Sequence, residues 1–259
     1  MKKIAIATSG GKDSTVLLFV LKKILGSRKN LELVSITVDE GIKGYRDRSI
    51  AVLKKNCKEW DVPHYVIFFK DFFYEMDEIA KIAKDLSACS YCGVFRRYCL
   101  NKKAKELDAQ LLATGHNLDD TIQSILMNIG RGDIEKLVRI APHASLQKGL
   151  IPRIAPLRII PEKENYLYAL LNKINFYRSS CPYAELTIRN LYRKIIYELE
   201  SHSPGTRHAI LKTYDSIIEA LRKSHPQPKL KECEICKEPT TQVICRACEL
   251  GKRIKVAQN

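Results

Sequence analysis

The chain has 259 residues, 45% of them hydrophobic and 28% charged, enough apolar material for one large domain with small appendages. Forty-four Lys and Arg against 29 Asp and Glu leave a net charge of +15, which fits a polyanionic partner such as nucleic acid and equally a lysine-rich solvated surface. No apolar run reaches the roughly 18–20 residues of a membrane helix, and nine cysteines, an odd number, argue against a disulfide scaffold and for metal or redox chemistry.

The start, MKKIAIATSG, has only a short apolar stretch that runs into a glycine turn, so it predicts a first strand and not an export signal; a cytoplasmic protein without membrane contact is expected. Lys3–Thr8, Glu32–Val38, His64–Phe69 and Gln110–Thr114 predict buried strands, and Ile154–Ile160 a fifth. Between them, Asp13–Leu25, Arg46–Trp60 and a stretch from Tyr91 to Leu107 carry apolar residues at helical spacing. This alternation predicts an α/β fold, a doubly wound parallel sheet with helices on both faces, over residues 1–161. Glu162–Asn175, Thr187–Glu200 and Gly205–Lys223 then predict a helical, basic extension over residues 162–228, a nucleic-acid platform or a solvated cap. His225-Pro226-Gln227-Pro228 predicts a stiff linker, and residues 229–259 a small tail that needs a staple.

Ser9-Gly10-Gly11-Lys12-Asp13-Ser14 follows the first strand and opens the first helix. The glycines let an anion approach the backbone, the helix N-terminus offers unpaired N–H groups, and Lys12 neutralises phosphate charge. Ser9 and Ser14 add hydroxyls, while Asp13 caps the helix or holds a nucleotide's Mg²⁺. The spacing is not that of a Walker loop. In this context SGGKDS resembles the PP-loop of the ATP pyrophosphatase superfamily, whose members adenylate a substrate and release pyrophosphate. Asp39-Glu40-Gly41 ends the second strand and is expected to border the adenosine, with Val38 as a backbone contact to the base. Gly115-His116-Asn117-Leu118-Asp119-Asp120 ends the fourth strand, where open α/β sheets bind ligands. There Asp120 is a candidate for Mg²⁺, substrate positioning or proton transfer, or simply a helix cap, and His116 shapes the loop.

Cys233-x-x-Cys236 and Cys245-x-x-Cys248 are two knuckles eight residues apart, the pattern of a closed tetrahedral zinc site. Cys89-Ser90-Tyr91-Cys92 is a single CxxC ahead of a helix and leaves three readings open: half a metal site, a redox pair or two structural cysteines. A redox pair would need a thioredoxin-like context, which the phosphate loop contradicts. Cys181, about ninety residues on, supplies a third thiolate, and three cysteines without an evident fourth ligand suggest an iron–sulfur cluster with one open iron. Cys57 reads as core, and Cys99 shares a helix face with Cys92 at about 10 Å of rise, too far for co-ligation.

SGGKDS, CSYCGVFRR (Cys89–Arg97), ATGHNLDDTIQSILMN (Ala113–Asn128) and the late CPY together resemble the TtcA/TtuA family of PP-loop tRNA 2-thiolation enzymes. RGD at Arg131–Asp133, IPEKE at Ile160–Glu164, SPG at Ser203–Gly205 and the CxxC pair with PT between its knuckles point to its TtuA/Ncs6/Ctu1-like branch. The resemblance implies a [4Fe-4S] cluster on Cys89, Cys92 and Cys181 and zinc on Cys233, Cys236, Cys245 and Cys248. It implies ATP contacts at Ala7, Thr8, Ser9, Asp13, Val38, Arg96, Gly115 and Asp120. TtuA-type relatives usually carry a further zinc finger before the PP-loop, so any tRNA contact made by that finger is expected to be absent or replaced.

The activity so implied is ATP-dependent 2-thiolation of a tRNA uridine. AMP transfer to the C2 oxygen makes a leaving group while Gly10, Gly11 and Lys12 hold the departing pyrophosphate, and sulfur is held at the cluster on Cys89, Cys92 and Cys181. Asp120 orients Mg²⁺ or moves a proton. The wobble uridine is favoured over the T-loop uridine, with sulfur from free sulfide or from a ubiquitin-like thiocarboxylate carrier. The expected partners are tRNA, that sulfur donor and a second copy in a homodimer. Two other classes compete: a PP-loop pyrophosphatase acting on a small molecule, and a non-catalytic zinc-containing RNA-binding protein.

Overall fold

A computed structural model describes every residue except 84–85, 141, 143–146, 184–187, 227 and 259. Thr187, expected to open a helix, and Gln227 of the expected linker thus lie outside the described residues. Four β/α alternations build the sheet: β1 (Lys2–Ala7), α1 (Lys12–Leu25), β2 (Leu31–Asp39), α2 (Arg46–Glu59), β3 (His64–Phe68), α3 (Met76–Ile82), α4 (Ala88–Glu106), β4 (Leu111–Thr114) and α5 (Leu118–Ile129). A one-turn α6 (Ile134–Leu137) and a short β5 (Arg153–Ile154) follow. The extension comprises α7 (Glu162–Leu171), α8 (Ile188–His202) and α9 (Thr206–Ser224), and the tail comprises β6 (Lys231–Glu232), β7 (Pro239–Thr240) and α10 (Arg246–Gln258).

The sheet is parallel throughout, in the order β3-β2-β1-β4-β5. Chain order reverses at β1, so the crevice between the C-terminal ends of β1 and β4 is the switch point where such sheets bind ligands. β2 is buried over six consecutive residues, Leu33–Val38, as a strand covered on both faces requires.

Two elements are shorter than their apolar patterns predict. β5 stops at Ile154 because Arg158 N–H bonds back to the Ala155 carbonyl and Ile160 N–H to that of Leu157, folding the rest of the run into turns. α7 stops at Leu171 because Lys173 turns left-handed (φ 53°), and Ile174 N–H then closes on the Ala169 carbonyl. α4 starts three residues earlier than its apolar pattern, which draws Cys89 and Cys92 into its first turns.

The tail does not stand apart. Cys233, Cys245, Ala247, Leu250 and Ile254 pack into the same core as Val34, Ile67, Phe69, Tyr91, Phe95 and Cys99. Glu238 receives Asn101 Nδ2 at 2.7 Å and Lys105 Nζ at 2.9 Å, tying the tail to α4.

Candidate active site and metal centres

The loop after β1 turns at Gly10 with φ 80°, and a Cβ there would sit 2.4 Å from the Ser49 carbonyl oxygen of α2. Only glycine satisfies both the torsion and the contact. Ser14 Oγ accepts from Ser9 N–H at 3.0 Å and lies 3.1 Å from Ser9 Oγ, closing a ring of donors at the N-terminus of α1. Gly11 is the cap of that helix and has no side chain to bond its first N–H groups, while the Gly11 N–H itself reaches Ser9 Oγ at 3.4 Å, so the helix start suits an anion. Gly115 lies against the same turn: a Cβ there would meet Ser14 N and Cα at 2.9 Å. The two loops picked out from the sequence, residues 9–14 and 115–120, therefore share one crevice.

Inside the crevice, Asp13 Oδ1 accepts from Asn117 Nδ2 (3.2 Å) and Asn165 Nδ2 (3.0 Å). Lys12 Nζ bonds Asp13 Oδ2 at 2.8 Å and Glu162 Oε1 at 2.6 Å, and Glu162 also accepts from Tyr197 and Arg193. Burial opposes ionisation of Glu162, yet Lys12, Tyr197 and Arg193 outweigh it and hold the carboxyl down at about 2. The helical extension thus faces the phosphate loop with an ordered set of charges. Glu162, Asn165, Arg193 and Tyr197 escaped the residue-by-residue reading; the IPEKE string was the one signal near them.

Asp120 caps α5 reciprocally with Asn117 and stands 4.0 Å from Arg189 of α8. Burial in the crevice and the nearby Asp13 push its carboxyl up, against the pull of His116 and Arg189, the direction a proton-transfer group needs. His116 Nδ1 lies 2.9 Å from Thr114 Oγ1, so its ring is held by the strand end. Thr8 is buried and bonds Ser35 (2.7 Å) and Thr37 (3.1 Å) through its hydroxyl, and Val38 is buried at the end of β2. Ala7, Thr8 and Val38 therefore offer a nucleotide their backbone and not their side chains.

The three expected cluster cysteines gather at the start of α4. Cys89 and Cys92 are one turn apart, and Cys89 Sγ donates to the Tyr183 carbonyl at 3.3 Å, which anchors the segment carrying Cys181. Charge on Cys181 raises the pKa of both other thiols, after the larger effect of burial. All three are half-buried, and none is bonded to another. Arg96, one turn on, donates to Cys92 Sγ at 3.1 Å and to Glu40 at 2.9 Å.

Cys233, Cys236, Cys245 and Cys248 are a different kind of centre. Their sulfurs all lie within 4.8 Å of one another, the one such group of potential metal ligands among the described residues. Cys236 and Cys245 are 3.6 Å apart, close to the ~3.8 Å edge of a tetrahedron with 2.3 Å zinc–sulfur bonds. Burial opposes the Cys233 thiolate, but N–H groups of Cys245, Cys236 and Ile235 outweigh it and bring its pKa down to about 6. Burial and the neighbouring sulfurs instead push Cys245 up to about 11 and raise Cys248 as well, a crowding of thiolates that a bound cation relieves. Cys57 is buried in a separate apolar core, while Cys99 is buried in the core that Cys233 and Cys245 share and that Cys92 packs against.

A parallel 3-2-1-4-5 sheet with this loop at its switch point defines a nucleotide-binding PP-loop protein, and residues 1–200 match the PP-loop domain family. A probable sulfurtransferase from Methanocaldococcus jannaschii is 40% identical over 98% of this chain and 75% of its own length. The tRNA 2-thiolation protein NcsA of Haloferax volcanii is 37% identical over 96% of this chain and 82% of its own. Among solved structures, the U34-tRNA thiolase NcsA from Methanococcus maripaludis with its [4Fe-4S] cluster superposes with a TM-score of 0.85 at 35% identity, covering 97% of this chain and 80% of that one. The chain belongs to the tRNA 2-thiolation family of PP-loop proteins.

Proposed function

We propose that this protein uses ATP to replace the C2 oxygen of a tRNA uridine, the wobble uridine, with sulfur. One observation carries the reading: a phosphate-shaped loop at Ser9–Ser14 and three half-buried cysteines open onto the same end of the sheet, with Arg96 and Glu40 between them. The likeness to a thiolase acting on U34 supports the choice of the wobble position.

Backbone N–H groups at Gly10 and Gly11, with the Ser9 and Ser14 hydroxyls, cradle the triphosphate, while Ala7, Thr8, Val38 and Gly115 line the adenosine. Asp13 supplies this cradle with a carboxylate for its Mg²⁺. The uridine C2 oxygen attacks the α-phosphorus; the bond to the bridging oxygen breaks and pyrophosphate leaves, its charge met by Lys12. Asp13 and Glu162 hold Lys12 in the crevice, which supports this role. A sulfur nucleophile then displaces AMP at C2, and Asp120, its pKa raised, takes up or returns the proton. When bound by Cys89, Cys92 and Cys181, a [4Fe-4S] cluster supplies an iron free of protein thiolate that is Lewis-acidic toward hydrosulfide, whether free or released from a thiocarboxylate carrier. Zinc on the C-terminal quartet is structural, since all four positions are thiolates. Residues 1–161, 162–228 and 229–259 act as catalytic domain, site-facing extension and stapled tail.

Replacing Cys89, Cys92 and Cys181 with alanine is expected to abolish the brown chromophore and 2-thiouridine formation together while ATP binding persists. A fully active triple variant overturns the mechanism. Nucleoside mass spectrometry of tRNA from a deletion strain checks the position: loss of a thiolated T-loop base with an intact wobble base refutes the assignment.

A further inference from the structure

The buried carboxylate of Glu40 has two guanidinium partners. Only 1% of this residue is exposed, and it lies just beyond the C-terminal end of β2. Its Oε2 accepts from Arg46 Nε and its Oε1 from Arg96 Nε at 2.9 Å. Each arginine carries a second bond onward. Arg46 Nη1 donates to the Ser9 carbonyl of the phosphate loop at 2.9 Å, and Arg96 Nη2 donates to Cys92 Sγ at 3.1 Å. Glu40 is itself fixed, because its own carbonyl accepts from Met76 N–H at 2.7 Å. A continuous chain thus runs Ser9–Arg46–Glu40–Arg96–Cys92, from the loop beside ATP to a cysteine of the expected cluster.

Geometry accounts for why the chain is built this way: both oxygens of the buried carboxylate are satisfied, one by each guanidinium, and each guanidinium spends its remaining donors on the loop or on the Cys92 sulfur. A buried carboxylate that lost either arginine would be left with unmet acceptors, so neither end can move without cost to the other.

We propose that Glu40 is a positioning residue that holds the phosphate loop and the Cys92 thiolate in fixed relation, so that a single side chain serves both the nucleotide and the cluster. It touches neither ATP nor iron itself. The inference rests on the function proposed above, in that it takes Cys92 as a cluster ligand and Ser9–Ser14 as the ATP loop.

The test uses the full-length protein with Glu40→Gln, which keeps the shape but sets an amide N–H₂ against a guanidinium, and Glu40→Asp, which keeps the charge but shortens the reach. Two quantities are read: ATP affinity of cluster-free protein by calorimetry, and the midpoint potential of the reconstituted cluster by electrochemical titration followed by electron paramagnetic resonance. Glu40→Gln is expected to weaken ATP binding at least ten-fold and to shift the potential positive, because uncompensated guanidinium charge favours the reduced cluster. Glu40→Asp is expected to weaken ATP binding with a smaller shift of potential. Movement at one site only, or at neither, overturns the proposal. If neither variant folds, wild-type protein decides: ATP must change the resonance signature of the bound cluster, and an unchanged signature overturns it. Wild-type protein that binds no ATP or assembles no cluster refutes the function itself, a separate result.

Discussion

At the scale of single residues, Gly10 is set by two neighbours, one in sequence and one across the fold. The hexapeptide announces a tight turn, but the Ser49 carbonyl that excludes a Cβ belongs to α2, 39 residues on. Gly10→Ala is expected to weaken ATP binding at least ten-fold and to cost ~1–3 kcal/mol of stability, measured by calorimetry and urea unfolding. His64 gives a pH dependence. Burial, with Lys54 adding to it, pushes this imidazole down from 6.5 to about 4, while a ring nitrogen pairs with Thr37 Oγ1 at 2.9 Å. Between these values the unfolded chain binds the extra proton, so the contribution is complete above about 6.5 and is lost as pH falls toward 4. The unfolding free energy is expected to drop by ~1–3 kcal/mol over that window, and His64→Gln to remove this part of the pH dependence. A wild-type profile flat from pH 6.5 to 4.5 contradicts the assignment. Nothing in the sequence marks His64 beyond its place at the start of an apolar run; its shift comes from packing.

Among the elements, α10 is the least legible from sequence and the most consequential for the tail. The knuckle spacing makes the meeting of the four sulfurs readable, since four cysteines on two short turns need no distant partner. That the stapled piece would dock on α4 was not readable, because its apolar residues complete a pattern only against Phe73, Phe95 and Tyr98. Under the proposed zinc site, treatment with a chelator, or replacement of Cys245 with serine, is expected to lower the melting temperature by roughly 5–10 °C and expose the chain to trypsin near Lys231. ATP affinity should persist. A melting temperature that does not change on chelation contradicts a structural ion. The extension gives the opposite lesson. Its helices were legible from periodicity, yet four of its arginines, Arg189, Arg193, Arg207 and Arg222, pair with acids instead of standing free. Arg207 reaches Asp119 at 2.7 Å and so fixes the start of α5, while Arg193 fixes Glu162 beneath Lys12. Part of the basic character that suggested a nucleic-acid platform is spent on building the site.

For the molecule as a whole, the parallel sheet, the phosphate loop and the two cysteine sets all follow from short stretches of chain, whereas the net charge of +15, a sum over the entire chain, left a polyanionic partner and a solvated surface equally open. The former depend on neighbours a few residues apart: alternation of apolar runs, glycines at a strand end, thiols at knuckle spacing. What tertiary structure alone decided is convergence. The order 3-2-1-4-5 places the ends of β1 and β4 side by side and brings β2 next to β1, so residues 9, 40, 46, 92 and 96 meet although 87 positions separate the first from the last. Such meetings depend on which strand pairs with which and on where helices cross the sheet. These choices are made by burial of apolar faces from the entire chain, and no local stretch contains them.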